Sequence, residues 1–204
     1  PFETDRVRDR YNAHEVDADN LKDMIDSMNV INPKILEAGQ STANINAILT
    51  RTDTLAWLYM QGFDVLHITS KYGANINGQK VGREEFFNTL TEYGKDENKK
   101  FIIFHYSILS EGINVAGLTH TIMLRNLPTI EMAQTIGRVI RIHPKDRSAM
   151  AEGRIPVGAI ELYHKPYGQV CVPLSGKYSQ RIAKKIQDVV DYIFIEGIPP
   201  LSYV

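Results

Sequence analysis

The sequence predicts an α/β fold with a mainly parallel central sheet flanked by helices, and two observations carry that expectation. Short apolar runs at 64–68, 101–104 and 121–124 alternate with stretches of helical periodicity, which is the pattern of βαβ units with strands buried on both faces. At 204 residues the chain can bury one substantial core and carry an extension, while two complete domains would be a tight fit.

Taken in order, 1–43 reads as a lead-in segment. Leu21, Met24, Ile25 and Met28 recur at helical spacing after Asp17 and Asp19 as candidate N-caps. Asn32-Pro33 interrupts that pattern, and Gly39-Gln40-Ser41-Thr42 reads as a loop. The core is expected over 44–147. It begins with a strand at 45–49, a helix at 52–61 closed by Gly62, and a strand at 64–68. A polar loop at 70–82 leads to a helix at 83–93 with Phe86, Phe87 and Leu90 on one face. Strands at 101–104 and 121–124 follow, then a helix at 129–141 ended by His143-Pro144. The extension, 148–204, offers strands at 157–163 and 169–172 and a helix at 179–193. No internal repeat or low-complexity segment is present.

Composition excludes several classes. No run of about 18 apolar residues exists, so no membrane-spanning helix is expected. Cys171 is the only cysteine, which rules out an intrachain disulfide and a cysteine-cluster metal site. An intracellular setting is expected, cytoplasmic or, for a virus-encoded protein, the host cytoplasm. The start, Pro1-Phe2-Glu3-Thr4, has no initiator Met and no signal core, and reads as a fragment of a longer protein. His14, His67, His105, His120, His143 and His164 show no metal-ligand spacing, and no metal site is expected. No nucleophile and base pair points to covalent hydrolase chemistry. The formal net charge of −1 neither supports nor excludes a nucleic-acid partner. Arg138, Arg141, His143, Lys145 and Arg147 nevertheless cluster.

The helix expected at 129–141 carries the candidate chemistry. Gln134, Arg138 and Arg141 are four and three residues apart and project from one face, with Ile136, Val139 and Ile140 largely opposite. Gly137 leaves room for close approach of a ligand. Two forked guanidiniums and an amide suit phosphate. By themselves these residues equally suit an ordinary solvated helix face, which is the commoner case.

Their context favours the first reading. Gln134-Thr135-Ile136-Gly137-Arg138-Val139-Ile140-Arg141 resembles motif VI of superfamily 2 helicases, Q-x-x-G-R-x-x-R. Ser107-Ile108-Leu109-Ser110-Glu111-Gly112-Ile113-Asn114-Val115 resembles motif V, Arg83-Glu84-Glu85-Phe86-Phe87 resembles the helix start that precedes it, and Ala47-Ile48-Leu49-Thr50-Arg51-Thr52 resembles motif IV. These elements span about half the chain in the family's order. The resemblance implies a RecA-like three-layer domain, the C-terminal motor domain of a helicase or translocase. Its partner would be an N-terminal RecA-like domain of the same protein, with ATP and Mg²⁺ between them. It implies Arg141 as the arginine finger, Arg138 beside it on the phosphates, and Gln134 at the γ-phosphate or attacking water. Gly112 and Asn114 would approach the ribose, although the family more often has Asp at the latter position. Thr50, Arg51 and Ser107 would hold nucleic-acid backbone. Tyr106 departs from the family's Thr at the residue before Ser107.

No P-loop is present: the nearest approach, Gly73 to Gly78 followed by Gln79-Lys80-Val81, fails the G-x-x-x-x-G-K-[ST] pattern. Asp96-Glu97-Asn98-Lys99 matches Walker B only superficially, because it lies in a charged turn. The metal-binding and water-activating groups are therefore expected on the companion domain, and this chain alone is expected not to turn over ATP. DNA is favoured over RNA, because motif VI lacks the H-R-x-G-R opening of DEAD-box proteins. Alternatives are the translocation subunit of a restriction system, a degenerate motor domain serving as a protein-interaction platform, and an unrelated nucleotide-binding α/β domain.

Overall fold

The strand at the centre of the parallel part of the sheet is one that its own sequence disguises. In the computed structural model, which describes residues 13–107, 115–173 and 176–193, with the backbone alone at 176–180, 192 and 193, β1 is Lys34–Ala38 and all of it is buried. Its charged residues hide it. Lys34 is buried because its ammonium donates to the carbonyls of Tyr93, Gly94 and Asp96 at 3.1, 2.7 and 2.7 Å, and Glu37 is fully enclosed. The sheet thus begins inside the segment expected as a lead-in.

The strand expected at 45–49 is instead part of helix α2, Thr42–Arg51. Ser41 caps it by accepting the amide of Asn44 at 3.0 Å. Ile45, Ile48 and Leu49 are buried at i, i+3 and i+4, so the short apolar run expected as a strand has helical burial.

The remaining strands are β2 Asp64–Thr69, β3 Gly73–Ile76, β4 Gln79–Val81, β5 Phe101–His105, β6 His120–Met123 and β7 Gln169–Cys171. They assemble in the order β4-β3-β2-β5-β1-β6-β7. From β2 to β7 every pairing is parallel; β3 and β4 are antiparallel. The polar loop expected at 70–82 is in fact this β3–β4 hairpin. Asn77 and Gly78 turn it with φ of 49° and 80°, both left-handed, as a two-residue hairpin turn requires.

The other described helices are α1 Ala13–Asp26, α3 Thr54–Met60, α4 Arg83–Lys95, α5 Thr129–Val139, α6 Pro144–Ala151 and α7 Gly176–Ile193. Side-chain alternation along the strands assigns them to layers. Ile35, Val65, Ile102 and Phe104 pack against α1, α2 and α3 on one face. Leu36, Ala38, Ile103 and Met123 pack against α4 and α5 on the other, where Ile182, Val189 and Val190 of α7 cover α5. The α/β class and the mainly parallel sheet between helical layers are as the sequence predicts.

Two further expectations change. The helix expected at 129–141 stops at Val139, and His143-Pro144 opens α6, with Pro144 in its first turn and His143 Nδ1 accepting the amide of Lys145 at 3.2 Å. The strand expected at 157–163 is a turn followed by a short 3₁₀ helix, Ile160–Leu162, with Gly158 at φ 90°. Among the described residues no helix is long and apolar enough to cross a membrane.

Candidate functional site

Helix α5 buries Met132, Thr135, Ile136 and Val139 and leaves the opposite stripe to solvent. Gln134 is exposed on that stripe, and Arg138 is half-buried one turn later. Arg141 is exposed beyond the helix C-cap Ile140, so it extends from the turn after α5 and not from the helix face expected for it. The two arginines still act on one another: burial first, and then the Arg141 charge, lower the pKa of Arg138. Beside them, a Cβ built on Gly137 would meet nothing within 4 Å. The result is a pair of cations that repel one another next to an open patch of backbone at Gly137.

Residues behind α5 set its position. Arg125, after β6, donates to the Tyr106 carbonyl at 2.5 Å and to Glu131 Oε1 at 2.7 Å, with its guanidinium 4.6 Å from the Tyr106 ring centroid. It ties the end of β5 to the first turn of α5. His105, at the end of β5, is 3% exposed and neither ring nitrogen has a hydrogen-bond partner. Burial, followed by the charges of Arg125 and Arg138, pushes His105 down to about 3, so the ring is neutral at physiological pH. The sequence gives no sign of Arg125, a lone arginine after an apolar run. His105 reads there as a structural histidine, and its burial agrees.

Lys165 was likewise not singled out by its sequence surroundings. Its Nζ donates to the carbonyls of Leu118 and Arg141 at 2.9 and 2.8 Å, and also to the carbonyl of Val139.

The other candidate residues fall elsewhere. Gly112 and Asn114 lie outside the described residues. Ser107 is exposed just past the carboxyl end of β5. Thr50 and Arg51, expected at a strand end, occupy the last turn of α2. There the Thr50 hydroxyl donates to the Asn46 carbonyl at 2.7 Å, which is ordinary intrahelical bonding. Because α2 and α5 pack on opposite faces of the sheet, Thr50 and Arg51 do not share a layer with the arginine pair. The strand that precedes α2 is β1, which ends at Ala38 and is followed by Gly39-Gln40-Ser41.

No family model matches the chain, and no curated protein matches it either. Solved structures similar in chain path include the following three. The ATP-dependent Type ISP restriction-modification enzyme LlaBIII, bound to DNA, is 12% identical with a TM-score of 0.46 over 78% of this chain. This chain spans 10% of that enzyme's length. The C-terminal domain of the DEAD-box protein Dbp5 is 16% identical with a TM-score of 0.47, over 88% of this chain and 79% of that one. The S. cerevisiae Dbp5 L327V C-terminal domain, bound to Gle1 H337R and IP6, is 12% identical with a TM-score of 0.47 over the same shares, 88% and 79%.

Proposed function

We propose that this chain is the second motor domain of an ATP-dependent DNA helicase or translocase, and that it supplies arginines to ATP held by a companion RecA-like domain. The observation that carries the reading is the Arg138–Arg141 pair beside the open backbone at Gly137, in the order that motif VI prescribes. The pair fits the phosphate end of a nucleotide: two forked donor groups, one half-buried and one exposed, with no side chain at Gly137 to block approach. Bound ATP would supply the phosphoryl group whose hydrolysis drives the motor, and the companion domain would hold Mg²⁺.

In this reading the candidate residues have defined tasks. Arg141, on an exposed turn, reaches across to offset the charge that develops on the transferring phosphoryl group. Arg138 neutralises the neighbouring phosphate oxygens, and Gln134 orients the γ-phosphate or the attacking water. Gly112 and Asn114, the motif V positions, approach the ribose. Ser107 at the sheet's carboxyl edge and Arg51 at the exposed end of α2 contact nucleic-acid backbone without reading sequence.

The test uses the protein in which this chain is joined to its companion domain. Arg141→Ala is expected to lower ATP turnover about 10³-fold or more and to leave DNA affinity nearly unchanged. Turnover within a few-fold of the unaltered protein would remove Arg141 from the finger role.

A further inference from the structure

We infer that Lys165 is a positioning residue for Arg141, the working part of a strap over 164–169 that fixes the turn after α5. The inference rests on the arginine-finger reading above and extends it to a segment that motif patterns leave without a role.

The need for such a device follows from where α5 stops. The helix ends at Val139, and Ile140 completes its hydrogen bonding through its amide to Ile136. Past this point the carbonyls of Val139 and Arg141 have no following turn to bond them, as at any helix C-terminus. The Lys165 ammonium, with three donors, meets three carbonyls: Val139 at the helix end, Arg141 in the turn at 2.8 Å, and Leu118 in the approach to β6 at 2.9 Å. One cation thus replaces the missing turn, complements the negative end of the helix dipole and ties the turn to the sheet.

The strap is itself held from both sides, so it can act as a fixed point. Asp146 of α6 is 3% exposed, and its two carboxylate oxygens accept the amides of His164 and Lys165 at 2.6 and 3.0 Å. The amide of Gln169 donates to the Thr119 carbonyl at 2.9 Å. Between these anchors Gly168 lies directly on the helix end: a Cβ there would sit 2.5 Å from the Val139 carbonyl oxygen and from Val139 Cγ1. Even a methyl group would push the strap and helix end apart. All three donors of the Lys165 ammonium are engaged by carbonyls. Its contacts are with the backbone that carries Arg141, and through that backbone it sets where the exposed guanidinium lies relative to Arg138.

Misplacing a group that acts on the transition state by about 1 Å costs on the order of 10²-fold in rate. In the full-length protein, Lys165→Met is therefore expected to lower kcat for ATP hydrolysis by ~10- to 100-fold, with KM for ATP nearly unchanged. Placed in an Arg141→Ala background it should lower kcat no further, whereas a merely structural loss would repeat in both backgrounds. Trypsin should also cleave the Arg141–Ile142 bond of Lys165→Met faster, with no matching increase at Arg83. Gly168→Ala leaves the lysine in place and should reproduce the same signature; it carries the test if Lys165→Met does not fold. If Arg141→Ala slows turnover but both strap variants keep a normal kcat, this inference fails alone. If Arg141→Ala has normal turnover, the finger reading fails and the positioning role goes with it.

Discussion

Glu37 is the residue whose chemistry is most at odds with its place. It lies fully enclosed in β1, and neither carboxylate oxygen has a hydrogen-bond partner. Burial and the nearby Asp17 carboxylate raise its pKa well above the ordinary range, and the Arg125 charge offsets this only in part. The folded chain therefore keeps Glu37 neutral at pH values where the unfolded chain has already released that proton. Where the folded state binds more protons than the unfolded state, stability falls as pH rises. Asp17 is raised too, chiefly by burial, and acts in the same direction. The buried histidines act oppositely: His105 and His120, held near 3 and 4, cost stability as pH falls below the unfolded histidine value. We expect Glu37→Gln, which matches the neutral carboxyl in shape, to raise the urea midpoint above the unaltered chain's, with the gap widening as pH rises from 5 to 7. Equal midpoints for the two chains across that range would mean that Glu37 ionises freely in the fold.

At the scale of elements, the recurring device is a buried lysine closing a helix end. Lys34 of β1 does for α4 what Lys165 does for α5, gathering the carbonyls of Tyr93, Gly94 and Asp96. Burial lowers the pKa of Lys34, and the charges of Asp96 and Glu97 counter that. Gly94 completes the joint, because a Cβ there would lie 2.8 Å from the Ala116 carbonyl oxygen. Replacing Lys34 with Met keeps the apolar stem and strands three carbonyls, so a loss of about 1–3 kcal/mol is expected. Denaturant unfolding should show a lower midpoint with an unchanged slope. A midpoint equal to that of the unaltered chain would mean that water replaces the ammonium without cost. The same lysine explains why β1 escapes a pattern reading: strands are recognised as apolar runs, and Lys-Ile-Leu-Glu-Ala breaks the run at two places that only tertiary partners make tolerable. Ile45, Ile48 and Leu49 mislead in the opposite sense, since three or four apolar residues fit either period. The Asn77-Gly78 pair was readable as a hairpin turn, but the strands beside it are three and four residues long, with Ile76 and Val81 as their only large apolar side chains. What pattern alone does locate is the set of long buried runs, β2, β5 and β6, together with α4 and the body of α5. The candidate site is legible to the same degree: Gln134, Gly137 and Arg138 are visible in the chain, while Arg125 and Lys165 act through backbone carbonyls and leave no motif.

For the molecule as a whole, the position of β1 decides which stretch of chain can fold. It lies between β5 and β6, pairing with Phe101–His105 on one side and with His120–Met123 on the other. A fragment beginning at residue 44, where the core was expected to start, would lack this strand. It would leave two central strands without their shared partner, and Ile35 and Leu36 would be missing from the packed layers on opposite faces. Ending such a fragment at 147 would also remove β7, which pairs with β6, as well as the strap and α7. Exposed backbone edges in the middle of a parallel sheet are not repaired by local rearrangement, and they invite pairing between chains. The fragment 44–147 is therefore expected to aggregate or to show no cooperative unfolding transition, whereas 13–193 should unfold in one step in urea when followed by circular dichroism. A cooperative transition for 44–147 would show that β5 and β6 can close on each other without β1. The motor reading would then lose its geometric basis, because the sheet that β1 completes is what holds α5 and its arginines in place.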